Sequence, residues 1–309
     1  MLKNHFFESR WPIYVPGMNG CSNIEFYEAI YKAGCMPSIV LEQDRDDDFF
    51  QNLMLMSEIA PDRNFAVTLF QSNLRNPRII SAVDKARPKY IEYWPRISAT
   101  SDKPTREDLQ SGGQGFSELE NDVWCRNAIK HLRSHSRIIM RMFKREISDQ
   151  ESLIDAYALK SKDSAGRYGF YDNYELLKMF SDTNKPLIPQ GGIGTPEQVK
   201  ALLDAGAAAV GIGTVFAASQ ESCLSVEIKR KLIQANSGEI FQLDSRQNAI
   251  VVGKIPDFTP EDWNRHNSMM SAINTGQSGH VYVGTAVDHI REILSVKDIV
   301  RYLVRDLES

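Results

Sequence analysis

The sequence of 309 residues predicts an α/β protein that folds as a (β/α)8 TIM barrel with a small C-terminal lid subdomain. Two observations carry this prediction. Short runs rich in β-branched residues alternate with amphipathic helical patterns, which is typical of parallel strands joined by crossover helices. There are eight such runs within the first 212 residues, and this number favours closure of the sheet into a barrel.

The predicted elements follow one another along the chain from the first run onward. The strands cover residues 13–16, 38–41, 65–70, 90–94, 137–143, 156–160, 187–189 and 208–212. The helices between them cover residues 24–33, 47–59, 78–86, 122–134, 151–154, 174–180 and 196–205. The last helix has the clearest start, because Thr195-Pro196-Glu197-Gln198 supplies an N-cap hydroxyl, a proline at the first position and a capping-box glutamine.

Two segments fall outside this repeat. Residues 98–119 are polar, contain a glycine-rich stretch and are too long for an ordinary connection, so we interpret them as a mobile insertion loop. Residues 221–275 lie between the eighth strand and a final helix predicted at 296–307. We interpret them as a small inserted lid subdomain, which leaves residues 1–220 and 276–309 to form the barrel.

The composition narrows the partners and the location of the protein. There are 36 Lys and Arg against 40 Asp and Glu, a net charge of −4 without a basic run, which argues against nucleic acid. No apolar run reaches the roughly 18–20 residues that cross a bilayer, and no secretory signal is visible, so we expect a cytoplasmic protein without a membrane partner. The four cysteines lack disulfide or zinc-ligand spacing, so we predict no metal site. Because the charge balance argues against nucleic acid, we expect a small-molecule substrate.

Two glycine-containing turns are the strongest chemical indication in the sequence. Gly191-Gly192-Ile193-Gly194-Thr195 and Gly211-Ile212-Gly213-Thr214 each end a predicted strand, and the interval between them fits one βα unit. They would follow strands seven and eight, where many barrels bind a phosphate with backbone N–H groups. Glycine suits such a site because a Cβ would keep an oxyanion away from the backbone. The alternative is that these glycines only permit close packing.

Four stretches of the chain carry a resemblance to a known family. They read VPGMNGCSNIEFYEAIYKAGCMPSI at 15–39, NFAVTLF at 64–70, PLIPQGGIGTPEQVKALLDAGAAAVGIGTVFAASQES at 186–222 and TGQSGHVYVGTAVDHI at 275–290. These stretches resemble the nitronate monooxygenase (2-nitropropane dioxygenase-like) family, which includes the related FMN-dependent enoyl reductases of fatty-acid synthesis. The resemblance is most specific at 186–222 and weakest across 95–135.

The resemblance implies FMN as the cofactor at the mouth of the barrel, and it allows for NAD(P)H as an electron donor and for a homodimer. It places the turn after the first strand beside the flavin ring and the glycine turns around the phosphate. A cation such as Lys160 or Arg141 would tune the flavin potential. The implied cofactor-binding residues are Pro16, Gly17, Met18, Asn19, Leu69, Lys160, Gln190, Gly191, Gly192, Ile193, Gly213 and Thr214.

One position departs from the family pattern. The family carries a catalytic acid/base histidine in the loop after strand six, where this chain has Arg167. A guanidinium stays protonated near neutral pH and is a poor base, although it can bind an anion by a bidentate pair. We therefore place Arg167 in catalysis as an anion-binding group, with Tyr168 and His280 as candidate bases. Asp163 and Tyr171 are further candidates for the base.

These observations predict an FMN-dependent oxidoreductase that oxidises a small anionic organic substrate, such as a nitronate, at flavin N5. An NAD(P)H-dependent flavin enoyl reductase is the alternative within the same class. A non-redox barrel that binds a phosphorylated metabolite, as an aldolase, an isomerase or a binding module, is the alternative from another class. A barrel that binds FMN but has lost its chemistry, or serves one pathway-specific reaction, also stays open.

Overall fold

The computed structural model describes residues 6–18, 20–41, 46–95, 116–243, 247–251 and 280–307. The eight predicted strands form a closed parallel barrel in this part of the chain, which confirms the predicted fold class. In order around the barrel, these strands are β1 (Ile13–Val15), β2 (Met36–Val40), β3 (Ala66–Phe70), β4 (Tyr90–Trp94), β5 (Arg137–Met142), β6 (Ala156–Lys160), β8 (Leu187–Gln190) and β9 (Val210–Gly211). A two-residue strand, β7 (Gly166–Arg167), follows β6 in the chain and lies outside the barrel.

Helices connect the barrel strands and pack against them. The α-helices in the described residues are α1 (Ile24–Lys32), α2 (Asp46–Ile59), α3 (Gln71–Leu74), α4 (Pro77–Ala86), α5 (Ser117–Asn121), α6 (Val123–Leu132), α7 (Asn173–Met179), α8 (Pro196–Asp204), α9 (Thr214–Ala217), α10 (Val226–Gln234) and α11 (Val296–Leu303). None of them is long and apolar enough to cross a membrane. The start of α8 is as predicted, since Thr195 and Gln198 form a capping box. The helix predicted at 151–154 is instead a short 3-10 turn at Asp149–Leu153.

A second, antiparallel sheet forms outside the barrel. Its strands are β10 (Phe241–Leu243), β11 (Gln247–Val251) and β12 (His280–Tyr282), together with β7. The central strand, β11, pairs with β10, β12 and β7. Because β7 belongs to the connection after β6, the backbone of this connection is hydrogen-bonded to the region that the sequence predicts as the lid.

The interior of the barrel is closed by aromatic side chains at the end where the strands begin. Phe6 and Phe7 precede β1 and pack with Tyr90 at ring distances of 5.4 and 4.9 Å. Phe7 also stacks on Tyr14, and Met36 and other inward residues complete this inner cluster. We call this the closed end of the barrel, and it leaves the opposite end as the place for a ligand.

The predicted insertion at 98–119 needs a correction at its C-terminal boundary. Residues 98–115 lie outside the described part of the chain. Residues 116–119 belong instead to the packed body of the protein, because Phe116 and Leu119 are buried in the core and α5 begins at Ser117. A loop that ends in two buried apolar residues is anchored at that side.

Candidate active site

Inward-facing polar side chains gather where the barrel strands end, at what we call the mouth. Side chains alternate in direction along a strand, so every second residue faces the barrel interior. The mouth residues singled out by this alternation are Trp94 on β4, Arg141 on β5, Lys160 on β6 and Gln190 on β8. Of these, Arg141, Lys160 and Gln190 are buried, at 3%, 8% and 2% exposure. Buried polar groups at strand ends of this fold are candidates for ligand contacts.

A buried ion pair joins two neighbouring strands just below the mouth. Arg141 donates through Nε to Glu92 Oε1 at 2.8 Å and through Nη2 to Oε2 at 2.5 Å. Oε2 also accepts from the hydroxyls of Tyr14 at 2.8 Å and Thr68 at 2.9 Å. Burial alone would raise the pKa of Glu92, but Arg141 and these hydrogen bonds hold it below its ordinary value. The carboxylate is therefore ionised, and both of its oxygens accept hydrogen bonds.

Arg141 also lies against an aromatic surface that faces the mouth. Its guanidinium carbon is 3.9 Å from the centroid of the Trp94 ring, which is cation–π distance. The Trp94 ring stacks on Phe70 at 5.1 Å. Held by a carboxylate on one side and a ring on the other, the guanidinium has a fixed position.

Lys160 is the second buried cation of the mouth. Its Nζ donates one hydrogen bond, to the carbonyl of Ala165 at 3.1 Å, in the connection that leads to β7. Burial first, and then the positive charge of Arg141, lower the pKa of Lys160 to about 7, against the opposing effect of Glu92. An amine with this pKa is deprotonated in a large fraction of molecules at neutral pH.

Gln190 has an amide group that the protein leaves unsatisfied. Neither Nε2 nor Oε1 has a hydrogen-bond partner among the described residues, although both atoms are buried. The side chain lies across Gly211 of β9, where a Cβ would come within 2.3 Å of Gln190 Cγ. A buried amide without protein partners costs free energy, so Gln190 is a candidate to hydrogen-bond a ligand or a water at the mouth.

The first glycine turn is packed tightly against the connection after β6. Gly191 and Gly192 have φ values of 105° and 72°, a region that favours glycine. A Cβ on Gly191 would lie 2.2 Å from Ser164 Oγ, and one on Gly192 would lie 2.8 Å from Asp163 Cβ. These glycines therefore permit close packing with the connection after β6, and the role of the turn in phosphate binding stays a prediction.

The second glycine turn meets the turn after β1. A Cβ on Gly213 would lie 3.2 Å from Met18 Sδ and 3.8 Å from Pro16 Cγ. Gly17 packs against β2 and β3, because a Cβ there would lie 2.5 Å from Val40 Cβ and 3.3 Å from Thr68 Oγ1. The structure thus brings two predicted site segments together. Asn19 lies outside the described residues.

The segment after β12 contacts both glycine turns. In the sequence, the resemblance at 275–290 was the indication of this role. Gly284 N donates to Thr214 Oγ1 at 3.0 Å, and Thr285 N donates to the carbonyl of Asp163 at 3.1 Å. His289 packs on Gly194, where a Cβ would meet its ring at 2.6 Å. The TGQSGHVYVGTAVDHI stretch therefore returns to the mouth over residues 280–289.

The three predicted catalytic residues lie in or beside the second sheet. Arg167 is part of β7 and pairs with Gln247 of β11, while Tyr168 follows it and is partly buried. His280 begins β12, is 3% exposed, and contacts the Tyr282 ring at 5.2 Å. Burial lowers the pKa of His280 to about 4, so the imidazole is neutral at pH 7.

Two predicted cofactor residues point away from the mouth. The side chain of Leu69 is fully buried in the core around the barrel strands, while its neighbours Thr68 and Phe70 face inward. Ile193 is likewise buried in that core. Any contact of these two residues with a ligand at the mouth would come from the backbone.

Several residues of the site were missed in the sequence. Tyr14, Thr68 and Glu92 form the network around Arg141, and Ser38 extends it through a 2.8 Å contact with Thr68. Polar residues at alternate positions within otherwise apolar strands would have indicated them. Asn173, at the start of α7, was missed as well; its Nδ2 donates to the carbonyl of Gly191 at 2.8 Å.

The closed barrel and its polar mouth define the class of protein, a TIM-barrel enzyme with its site at the carboxyl ends of the strands. A family model described as nitronate monooxygenase matches residues 154–306, which confirms the resemblance carried by the sequence motifs. The chain is an FMN-dependent oxidoreductase similar to the nitronate monooxygenases, the class of enzyme that the sequence predicts. No curated protein sequence matches the chain.

Solved structures share the fold at low sequence identity. FabK from Thermotoga maritima is 19% identical, with a TM-score of 0.72 over 98% of this chain and 94% of that chain. Nitroalkane oxidase from Streptomyces ansochromogenes is 17% identical, with a TM-score of 0.70 over 97% and 96%. The enoyl reductase domain of MlnA from Bacillus amyloliquefaciens is 11% identical, with a TM-score of 0.71 over 98% and 95%.

Proposed function

We propose that this protein binds FMN at the barrel mouth and oxidises a small anionic organic substrate, such as a nitronate. The observation that carries the proposal is the buried amide of Gln190, which has no partner for either polar atom. A flavin ring presents both hydrogen-bond donors and acceptors along its edge, so it would satisfy an amide of this kind. Lys160, on the neighbouring strand, supplies N–H donors to the same space.

The residues around the mouth fit the phosphate end of FMN as well. The turns at Gly191–Gly192 and Gly213–Thr214 lie at the ends of β8 and β9, where backbone N–H groups suit an oxyanion. The Thr214 hydroxyl accepts from Gly284 N and keeps its own hydrogen available for donation. Pro16, Gly17 and Met18 would border the flavin on the side of β1.

When bound, FMN would supply the acceptor for the two electrons removed from the substrate. The side chains of this chain would provide the setting for that reaction. Arg141 adds positive charge beside the ring, and Lys160 adds it in its protonated form, which favours an anionic ligand and a reduced flavin. Arg167 is proposed to hold the anionic group of the substrate by a bidentate pair, with Tyr168 and His280 lining the same space.

We also propose that residues 221–275 act as the lid over this site. The support is the second sheet, in which β11 hydrogen-bonds to β7 in the connection after β6 and to β12. A lid bonded on both sides would carry Arg167 with it and keep water from the mouth.

Size-exclusion chromatography of the purified protein tests the predicted homodimer.

The cheapest test is the absorbance of the purified protein and its response to added FMN. We expect a yellow protein, and we expect FMN to bind more tightly than riboflavin, because riboflavin lacks the phosphate that the glycine turns would hold. A colourless protein that takes up neither flavin would contradict the proposal. Stabilisation by phosphorylated metabolites, but not by FMN, would instead favour the non-redox barrel.

Anaerobic mixing separates the two redox alternatives. If the proposal is right, ethylnitronate bleaches the flavin absorbance of the FMN-loaded protein, while NADH and NADPH leave it unchanged on the same time scale. Rapid bleaching by NADH or NADPH, together with no response to ethylnitronate, would favour the enoyl reductase and overturn the substrate part of the proposal.

A further inference from the structure

A neutral substrate would need a base to remove its proton. At the position where the family has its histidine, this chain has no such base. Arg167 stands there, and a guanidinium does not accept a proton near neutral pH. The Tyr14 hydroxyl is engaged as a donor to Glu92, and burial, followed by the charge of Glu92, raises its pKa well above the ordinary value. These groups therefore bind and position, and they leave the proton transfer to another side chain.

Lys160 has the surroundings of such a base. The groups that face it from the packed strands are Arg141 on β5, Glu92 on β4 and the neutral Gln190 on β8. The carboxylate of Glu92 already accepts two hydrogen bonds from Arg141 and one each from Tyr14 and Thr68. None of these hydrogen bonds comes from Lys160, whose Nζ donates instead to the carbonyl of Ala165.

No other carboxylate among the described residues forms an ion pair with Lys160. Its Nζ makes one hydrogen bond, to Ala165 O, and the amine is 8% exposed. Burial and a fixed guanidinium nearby, without a carboxylate paired to it, shift this amine toward its neutral form. A neutral amine carries a lone pair that can accept a proton.

We propose that Lys160 is the base that converts a neutral nitroalkane to its nitronate at this site, so that both forms of the substrate are consumed. This inference rests on the proposed function. In the step, the α C–H bond breaks and its electron pair forms the C=N bond of the nitronate, with the negative charge on the nitro oxygens. The proton forms a new N–H bond on Nζ, and no oxidant takes part.

The pair of Glu92 and Arg141 acts as a positioning unit for this base. Arg141 is fixed by the bidentate pair and by the Trp94 ring, so its charge stays beside Lys160 throughout the reaction. Because the pKa of Lys160 lies near 7, its neutral form becomes more abundant as the pH rises through that value. The rate with nitroethane should therefore rise with pH through about 7, and the rate with ethylnitronate should lack this limb.

The test compares nitroethane with preformed ethylnitronate in the FMN-loaded protein and in its Lys160→Ala variant. We expect kcat/KM for nitroethane to fall by about 100-fold or more, the usual contribution of a general base, and to recover partly with added methylamine. We expect kcat/KM for ethylnitronate, whose proton is already gone, to fall by about 10-fold at most, the effect of one lost hydrogen bond beside the flavin. Lys160→Arg, which keeps the charge but not the base, should lose nitroethane activity equally. Lys200→Ala, at an exposed ion pair, is the matched control.

A second measurement does not depend on oxidation. Proton NMR in deuterated buffer follows exchange of the nitroethane α protons, which wild-type protein should accelerate and Lys160→Ala should not. Equal losses on both substrates, or unchanged exchange in the variant, would overturn the assignment of Lys160. Wild-type protein that oxidises ethylnitronate but neither oxidises nor exchanges nitroethane would overturn it too, while the proposed function stands. Protein inert toward both substrates would overturn both.

Discussion

The two ends of the barrel interior are built from opposite kinds of side chain. The closed end holds Phe6, Phe7 and Tyr90 in edge contacts, with apolar neighbours around them. The mouth holds a buried ion pair, a buried amine and an amide without partners. Burying apolar surface stabilises a fold, whereas burying polar groups does so only when they are paired. The closed end thus serves stability, and the mouth holds buried polar groups to which we assign the proposed function.

Tyr14 connects the two ends. Its ring stacks on Phe7 at 5.4 Å, and its hydroxyl donates to Glu92 at 2.8 Å. A single side chain therefore contributes an apolar face to the closed end and a hydrogen bond to the network below the mouth. The side chains therefore change from apolar to polar along the barrel axis. Substitutions at the closed end and at the mouth test separately what each end contributes to stability and to ligand binding.

The largest effect is expected at the closed end. Phe7→Ala should lower the free energy of unfolding by about 3–5 kcal/mol, because it removes a fully buried ring. Urea denaturation measures this loss. The affinity for FMN should stay unchanged in the folded variant, since Phe7 lies at the far end of the barrel. Trp124→Ala, at a ring that is 77% exposed, is the control and should cost within about 0.5 kcal/mol. Loss of FMN binding in Phe7→Ala would break the comparison.

A substitution at the mouth should act in the opposite way. Gln190→Leu removes two buried polar atoms that lack partners, so we expect the free energy of unfolding to rise by about 1 kcal/mol. FMN affinity should fall at the same time, as measured by fluorescence titration. Gln198→Leu is the matched control, because its amide oxygen accepts from Gly194 N and Thr195 N and its loss should destabilise the protein. A destabilised Gln190→Leu with normal FMN affinity would contradict the functional assignment of the mouth.

The smallest effect on stability is expected outside the barrel, at Asp84 on α4, whose carboxylate contacts His131 on α6. Asp84 contacts His131 Nε2 at 2.6 Å and His135 Nε2 at 2.7 Å. Burial alone would raise the pKa of Asp84, but the hydrogen bonds with His131 and His135 hold it below the ordinary value. Its contribution to stability is therefore present above the unfolded carboxyl pKa of about 3.9, and it is lost as the pH falls through the lower folded value.

Asp84→Asn should accordingly lower the melting temperature at pH 7, and the difference from wild type should shrink below about pH 4. The size should stay within about 1 kcal/mol, since partly exposed pairs contribute little. Scanning calorimetry between pH 3 and 7 checks this, with Asp204→Asn at an exposed pair as control. A difference that grows toward acid pH would have the wrong sign for a carboxyl whose pKa is lowered. A cost as large as that of Phe7→Ala would show that the helical layer matters as much as the closed end.

Local patterns carried the prediction of the barrel and indicated short strands near residue 240 and at 250–252 in the second sheet, but they did not predict β7 and β12. Each barrel strand has apolar runs of its own, so its position is visible without knowing its neighbours. By contrast, β7 has two residues and β12 has three, and both exist as strands because β11 pairs with them. The barrel strands β1 and β9 are as short, but each lies between residues that fit the βα repeat, whereas β7 and β12 lie outside it.

The site was predictable in part for the same reason. The glycine turns stand out because only glycine tolerates such backbone angles, as at Gly191 and Gly192. Glu92 can be noticed as an acid within an apolar strand, but the sequence carries no indication of its partner. Arg141 meets it only because β4 and β5 are neighbours in a closed barrel. Thr68 and Tyr14 complete the network from two further strands.

The sequence alone determined the eight-stranded barrel, the helix starts, the glycine turns and the resemblance to the nitronate monooxygenase family, because these depend on residues close together in the chain. The tertiary structure decided which side chains face the mouth, since closure of the barrel sets the direction of every second residue. It also decided that Lys160 is buried beside Arg141 without a carboxylate of its own. Charge and burial at one point depend on residues far apart in the chain, and only the fold brings them together.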